Sequence, residues 1–190
     1  MTPTLLLLER LATLINQSLR DDAARHGLLP IHLQALAYLA ACNRYSDIPS
    51  ALAEYFGTTR GTVSQTIAVL ERKGLVRREA DPCHGRRVHL KLTRRGRAVK
   101  SSWSRRLEQA LADTPDLSPG FAASLQALLV ALQRQNDNQA FGICRQCAWF
   151  RQAAGGAQCG LTGEPLSLEM TTKICREWRP PESVAEAARA

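Results

Sequence analysis

The sequence predicts a mainly α-helical chain with one β-hairpin and a small cysteine-bearing appendage near its C-terminus. Three observations carry that expectation. Apolar residues recur every three or four positions up to about residue 135, in runs punctuated by Gly and Pro. Two short alternating runs, LVRREA and RRVHLKLT, flank the turn DPCHG. Four cysteines crowd between Cys144 and Cys175, in a segment too short and too polar to build an apolar core of its own.

The elements follow in order. From about Thr4 to His26, Leu8, Leu11, Ile15 and Leu19 form a helical stripe that Gly27 ends. Pro30 opens the next helix, PIHLQALAYLAACNR, rich in Leu and Ala. IPSALAEYFG is a short helix with Leu52 and Phe56 on one side, closed by Gly57. In TTRGTVSQTIAVLERKG, Thr59 is the N-cap, Val63, Ile67 and Leu70 share the inner face, and Gly74 is the stop. After the hairpin the helical pattern returns at Arg97, with Val99, Trp103, Leu107 and Leu111 four apart. TPDLSPG breaks it, and Ser118–Pro119 starts a last helix carrying Phe121, Leu125, Leu128, Leu129 and Leu132. The domain organisation expected is a main domain over 1–140, a cysteine module over 141–180 and a loose tail over 181–190, with no internal repeat.

Composition narrows the function. The chain has 190 residues and a net charge of +8, unevenly spread. From Arg60 to Arg106 there are fourteen Lys and Arg against three acids, Glu71, Glu79 and Asp81. A compact surplus of one sign is the electrostatic footprint of a nucleic-acid binder; a merely solvated face usually mixes signs. No run is long enough to span a membrane. The opening MTPTLLLLERL lacks a basic region ahead of its leucines, which reads as a helix start rather than an export signal. The expected compartment is the reducing cytoplasm, where thiolates bind metals more often than they pair as disulfides. No Ser/His/Asp triad, phosphate loop or pair of catalytic carboxylates stands out, so an enzyme is not expected.

Helix, tight turn, helix and basic hairpin make a winged helix-turn-helix, whose second helix enters the major groove. The stretch PSALAEYFGTTRGTVSQTIAVLERKGLVRREADPCHGRRVHLKLTRRG resembles the MarR family of bacterial transcriptional regulators. The matching features are ALAEYFG, TVSQTIAVLERKGLV, Asp81 at the opening of the wing turn, Arg86 at its far side, and LTRRG. The resemblance covers roughly residues 4–138. It implies a homodimer held by the N-terminal and two C-terminal helices, bound to a double-stranded, pseudo-palindromic operator. It also implies that Arg60, Thr62, Ser64 and Gln65 face DNA from the recognition helix, and that Thr59, Arg86 and Arg87 meet phosphate or the minor groove. One position departs from the pattern: His84 stands where the family often has a second Asp bracing a wing arginine. Arg86 is then left to pair with Asp81 alone.

The appended cysteines are spaced C-x2-C (Cys144, Cys147), then eleven residues to Cys159 and fifteen to Cys175. Structural zinc sites usually show two C-x2-C pairs, each a knuckle on one side of the tetrahedron. Ligands presented one at a time suit a larger cubane, each of whose irons takes one sulfur. Trp149, Phe150 and Trp178 are available to shield it from water. The arrangement resembles high-potential-type iron–sulfur modules, with one close pair followed by two separated cysteines. A [4Fe-4S] cluster held by Cys144, Cys147, Cys159 and Cys175 is the first expectation, a zinc ion the second and free thiols the third. Cys42 reads as a small core residue. Cys83, at the wing tip beside His84 and basic residues, is a turn residue or a reactive thiol. His26, His32 and His89 show no ligand spacing and read as structural or solvated.

Joined, the two parts describe a dimeric DNA-binding regulator tuned by a cluster, sensing redox state, oxygen or iron, with the signal passing through the helix near 121–135. Two alternatives stay open. One is a regulator responding to a small aromatic acid, with zinc folding the tail; the other, more remote, is an iron–sulfur electron carrier.

Overall fold

The computed structural model describes residues 2–82, 85, 87–114, 120–136, 139–153 and 155–181. Cys83, His84, Arg86, the Trp103 side chain, the Ser118–Pro119 start and the tail from 182 lie outside the described residues. The helices are α1 (Pro3–Arg25), α2 (Pro30–Ala41), α3 (Pro49–Phe56), α4 (Arg60–Arg72), α5 (Arg94–Ala112), α6 (Phe121–Gln135) and α7 (Leu168–Thr171). The strands are β1 (Val76–Ala80), β2 (Val88–Leu92), β3 (Gly142–Ile143), β4 (Phe150–Ala153), β5 (Gly156–Cys159), β6 (Pro165–Leu166) and β7 (Ile174–Cys175). Helices dominate, as the periodicity predicts.

Local chemistry sets the boundaries. Prolines stand at the starts of α1, α2 and α3, where the missing N–H costs nothing. Gly27, Gly57 and Gly74 follow helix ends with φ of 60°, 59° and 66°, a left-handed turn that glycine makes without strain. Gly57 opens the α3–α4 turn, and Thr59 Oγ1 then accepts the Thr62 N–H at 3.2 Å, capping α4 as expected. α5 begins at Arg94 rather than Arg97, because Thr93 caps it by accepting the Gly96 N–H at 3.1 Å. Three arginines in that first turn hide the start from a reading based on apolar spacing. The same Thr93 hydroxyl donates to the Gly74 carbonyl at 2.7 Å. A side chain at Gly96 would collide with the Leu75 carbonyl, which accounts for the glycine in LTRRG.

The chain divides into two compact units. One comprises residues 1–40, 64–78 and 91–116; the other comprises 41–63, 79–90 and 117–190. In the first, Leu19, Ala23, Leu33, Leu36, Ile67, Leu70 and Leu75 are buried. In the second the buried apolar set includes Leu52, Val63, Leu90, Val130, Phe141 and Trp178. Of the stripe read in α1 only Leu19 is buried; Leu11 and Ile15 are exposed, as are Leu5, Leu6, Leu7 and Leu14. Exposed leucines also line α5 (Leu107, Leu111) and α6 (Leu125, Leu128, Leu129, Leu132).

The wing is a two-stranded sheet of β1 and β2. The cysteine segment has a framework that the sequence does not announce. β3 pairs antiparallel with β7, setting Gly142 opposite Cys175 and Ile143 opposite Ile174. β4, β5 and β6 form a three-stranded antiparallel sheet in which Phe150 faces Cys159. Strands of two to four residues are too short to show a readable alternation, so only the cysteines and glycines mark this region in the sequence.

Candidate nucleic-acid interface and cysteine site

On α4 the inner face is Val63, Ile67 and Leu70, each no more than 1 % exposed. The outer face carries Arg60, Thr62, Ser64 and Gln65, all exposed. The sequence assigned these two faces, and the helix presents them so. Thr59 is exposed, and its hydroxyl is shared with the Thr62 amide and the Thr62 hydroxyl, 3.0 Å away. The first turn of α4 holds no acidic residue, so the helix dipole and Arg60 leave a positive end suited to an anion.

At the wing, Arg87 is exposed, with a guanidinium nitrogen 3.9 Å from Asp81. Asp81 also meets His89, whose Nε2 lies 3.0 Å from Oδ2. The other ring nitrogen, Nδ1, lies 2.5 Å from Asp47 Oδ1. Only an imidazolium can donate to both carboxylates at once. The Leu90 N–H donates to the Asp47 carbonyl at 2.7 Å, fixing the same join through the backbone. The expected pairing of Arg86 with Asp81 lies outside the described residues; Asp81 also meets a half-buried histidine, and His89 is structural rather than solvated. His32 is structural too, its Nδ1 accepting the Leu29 N–H at 2.9 Å, with burial and then Lys73 lowering its pKa.

The four cysteines of the C-terminal segment converge. Cys144 opens a single 3-10 turn; the Cys147 N–H donates to its carbonyl at 3.0 Å, and the Phe150 N–H to the Cys147 carbonyl at 2.9 Å. Cys159 closes β5 and Cys175 closes β7. Cys144, Cys159 and Cys175 line one cavity of about 290 Å³, which Asn43 and Arg87 also line. Cys147 is close enough to raise the pKa of both Cys144 and Cys175 by charge repulsion. Trp178 is buried against Gly142 and donates its indole N–H to the Gln146 carbonyl at 3.1 Å, while Trp149 and Phe150 are half-buried.

Hydrogen-bond donors are aimed at three of the four sulfurs. The Arg179 N–H reaches Cys147 Sγ at 3.4 Å. Cys159 receives the Leu161 and Thr162 N–H groups and the Thr162 hydroxyl. Cys175 receives the Asn43 side chain and the Glu177 N–H. A thiol is a weak acceptor, whereas a thiolate takes charge-assisted bonds. This donor set therefore fits sulfurs that act as anionic ligands. Among the described residues no group of three or more His, Cys, Asp or Glu side chains is set to hold a single metal ion. The sulfurs around one tetrahedral zinc, with bonds of about 2.3 Å, would stand only about 3.8 Å apart.

Environment separates the thiols chemically. Burial pushes Cys144 up to about 11, and the neighbouring Cys175, Cys159 and Cys147 add to the shift. Burial raises Cys175 as well, against the hydrogen bonds from Asn43 and Glu177. Burial also opposes ionisation of Cys159, but the bonds from Thr162 and Leu161 outweigh it and its pKa falls. None of Cys42, Cys144, Cys147, Cys159 and Cys175 is in a disulfide, and Cys42 is buried as expected.

The segment is tied down on residues 42–54. Cys42 forms a parallel bridge with Ile174, and the Asn43 N–H donates to the Ile174 carbonyl at 2.9 Å. The Arg176 N–H donates to Ser46 Oγ at 2.9 Å, and its guanidinium reaches Glu54 Oε1 at 2.8 Å and Ser50 Oγ at 3.4 Å. Arg44 pairs with Glu164. The sequence reading routes the cysteine signal through the helix near 121–135; these bonds lead to α3 and the loop before it. Asn43, Ser46, His89 and Arg176 were not singled out as site residues, since nothing local marks a polar residue whose partners lie far along the chain.

A polar outer face opened by Arg60 on the second helix of a tight helix–turn–helix, followed by a two-stranded wing, defines a winged helix-turn-helix. Residues 26–87 match the sequence profile of the MarR family. No curated protein matches the chain significantly in sequence. The S. aureus MepR–DNA complex is similar in structure, with 22% identity and a TM-score of 0.53 over 71% of this chain and 98% of that one. A MarR family transcriptional regulator from Silicibacter pomeroyi is similar with 25% identity and a TM-score of 0.54, over 68% and 86% of the two chains. CouR from Rhodococcus jostii RHA1, bound to p-coumaroyl-CoA, is similar with 20% identity and a TM-score of 0.52, over 68% and 88%. Those neighbours are matched over most of their length, while more than a quarter of this chain falls outside each match.

The contrast between the thiols gives a direct test. In metal-free, reduced protein at pH 7.5, iodoacetamide is expected to modify Cys159 well before Cys144, because the thiolate is the nucleophile. Peptide mass spectrometry over a time course reads the order. Faster modification of Cys144 would contradict the burial and hydrogen bonding described.

Proposed function

We propose that the protein is a dimeric, DNA-binding transcriptional regulator acting in the cytoplasm, whose operator affinity is set by a [4Fe-4S] cluster on Cys144, Cys147, Cys159 and Cys175. It would respond to redox state, oxygen or iron. The observation that carries the reading is that the convergent thiols share one compact unit with α3, the start of α4 and the tip of the wing. DNA binding is supported by the exposed face of α4, the basic surplus and the likeness to a MarR-type fold. The exposed leucines of α1, α5 and α6 supply apolar surface for dimerisation. Two copies then offer two recognition helices to a pseudo-palindromic operator, whose half-site spacing is a strict geometric demand.

Each part of the chain has a task in this scheme. Arg60, Thr62, Ser64 and Gln65 reach base edges, while Thr59, Arg86 and Arg87 meet phosphate or the minor groove. Arg179, Leu161, Thr162, Glu177 and Asn43 stabilise the four sulfurs as thiolates. A cluster bound there supplies a reversible change of charge and occupancy at the thiols. Zinc on the same four thiols is the second candidate.

A second reading has an observation of its own. A cavity of about 320 Å³ is lined by His26, Arg72, Lys73 and Arg95 with Leu75 and Val99, a basic pocket fit for a small organic anion. An aromatic acid bound there would make the protein a small-molecule-responsive regulator with the cysteines as a folding device.

Three measurements test the proposal. Protein isolated or reconstituted anaerobically should carry about four irons per chain. Because Cys144 and Cys175 hold their protons more tightly than ordinary thiols, loading expels protons and should become more favourable as pH rises from 6 towards 9. Stoichiometric zinc without iron or sulfide would leave the zinc reading. On the DNA side, Arg60→Ala should weaken binding to a selected operator by about 1–3 kcal/mol and relax preference at one base position. Unchanged affinity and preference would move the reading surface away from α4.

A further inference from the structure

We propose that Asn43, about a hundred residues before Cys144, is a positioning residue of the thiol site, and that Ser46 and Arg176 link it to α3, the first helix of the DNA-binding motif. The inference rests on the reading that the four thiols hold a cluster. Asn43 is 4% exposed and Ser46 fully buried. Asn43 Oδ1 accepts the Tyr45 N–H at 3.1 Å and the Ser46 hydroxyl at 2.7 Å. With its acceptor end so engaged, the amide has its NH2 left for the cavity that Asn43 and Cys175 line together, where its hydrogen bonding favours the Cys175 thiolate. Ser46 Oγ in turn accepts the Arg176 N–H, and Arg176 grips Glu54 and Ser50 on α3. The second oxygen of Glu54 is buried with no hydrogen-bond partner among the described residues, so Arg176 is a substantial share of its compensation.

The chain of bonds has two states because sulfur has two. A ligated sulfur carries negative charge and holds the Asn43 amide firmly. A free thiol is a poor acceptor and leaves a buried donor weakly met, a cost the loop relieves by shifting. That shift is transmitted to Ser46 and Arg176, hence to α3, and through the tight Gly57–Thr59 turn to the start of α4. The wing foot is held by the next residue, Asp47, through His89 and Leu90. A ligand couples two sites only through contacts that differ between states, and the Asn43–Cys175 bond is such a contact. A buried asparagine that merely stiffens a turn would serve the fold equally well in both states, so the test must read something a turn cannot move.

Asn43→Asp keeps the size and the acceptor oxygen while replacing the donor by a negative charge facing Cys175. Full-length wild type, Asn43→Asp, Ser46→Ala and Arg176→Gln are reconstituted anaerobically with ferrous iron and sulfide. Asn43→Asp is expected to show a more negative midpoint potential than wild type, or to lose the cluster, with the helix content of its unloaded form unchanged. Ser46→Ala and Arg176→Gln are expected to load like wild type but to lose most of the ratio between loaded and unloaded operator affinity. In wild type that ratio is expected to be about 5- to 150-fold. A wild-type potential in Asn43→Asp, or a wild-type affinity ratio in both linking variants, overturns the inference while leaving the cluster reading intact. A wild type that takes up no iron and sulfide removes the cluster reading and this inference with it.

Discussion

A buried amide must have its hydrogen bonds met, and in this protein that requirement falls on Asn43. Its backbone N–H is met by Ile174 and its side-chain oxygen by Tyr45 and Ser46, which leaves its NH2 for the cavity it lines with Cys175. The short stretch from Cys42 to Asp47 therefore belongs to several structures at once. It forms a bridge to β7, flanks the thiol cavity, leads into α3, and through Asp47 anchors His89 at the foot of the wing.

Charge is distributed in keeping with that arrangement. Basic residues dominate from Arg60 to Arg106, yet the few acids are placed with care. Glu71 takes Arg78 in two bonds of 3.0 and 3.1 Å, and Asp47 and Asp81 take His89. Arg60 keeps its exposed place at the positive end of α4. The surplus thus falls where a polyanion would approach, and the acids are spent on holding the wing.

Much of the fold was legible because it is written in local chemistry. Helix stops at Gly27, Gly57 and Gly74 need a left-handed turn, the cap at Thr59 needs only its own first turn, and Val63, Ile67 and Leu70 reveal the inner face of α4 by spacing alone. What was not legible depends on partners distant in sequence. His89 meets Asp47 from the opposite end of the wing motif, and Arg176 meets Glu54 across most of the chain. The cysteines could be identified as a set from their spacing, but not the donors aimed at them, since backbone N–H groups carry no sequence signature. The strands that hold the thiols were hidden by their brevity, and α5 began early because a threonine cap overrode the apolar pattern. The exposed leucines of α1 also read as an ordinary core stripe, since a periodic pattern does not say what will cover it.

The central claim is that the condition of the four thiols is felt in the loop before α3 and in α3 itself. Hydrogen–deuterium exchange of the full-length protein, with and without anaerobic reconstitution by iron and sulfide, measures this most directly. Amides over residues 43–56 are expected to exchange more slowly in the loaded form, alongside those of 142–179, while the amides of α1 and α2 are unchanged. Slowing confined to 142–179, with 43–56 indifferent to loading, would contradict the account and leave the cysteine segment as a module that folds without speaking to the DNA-binding motif.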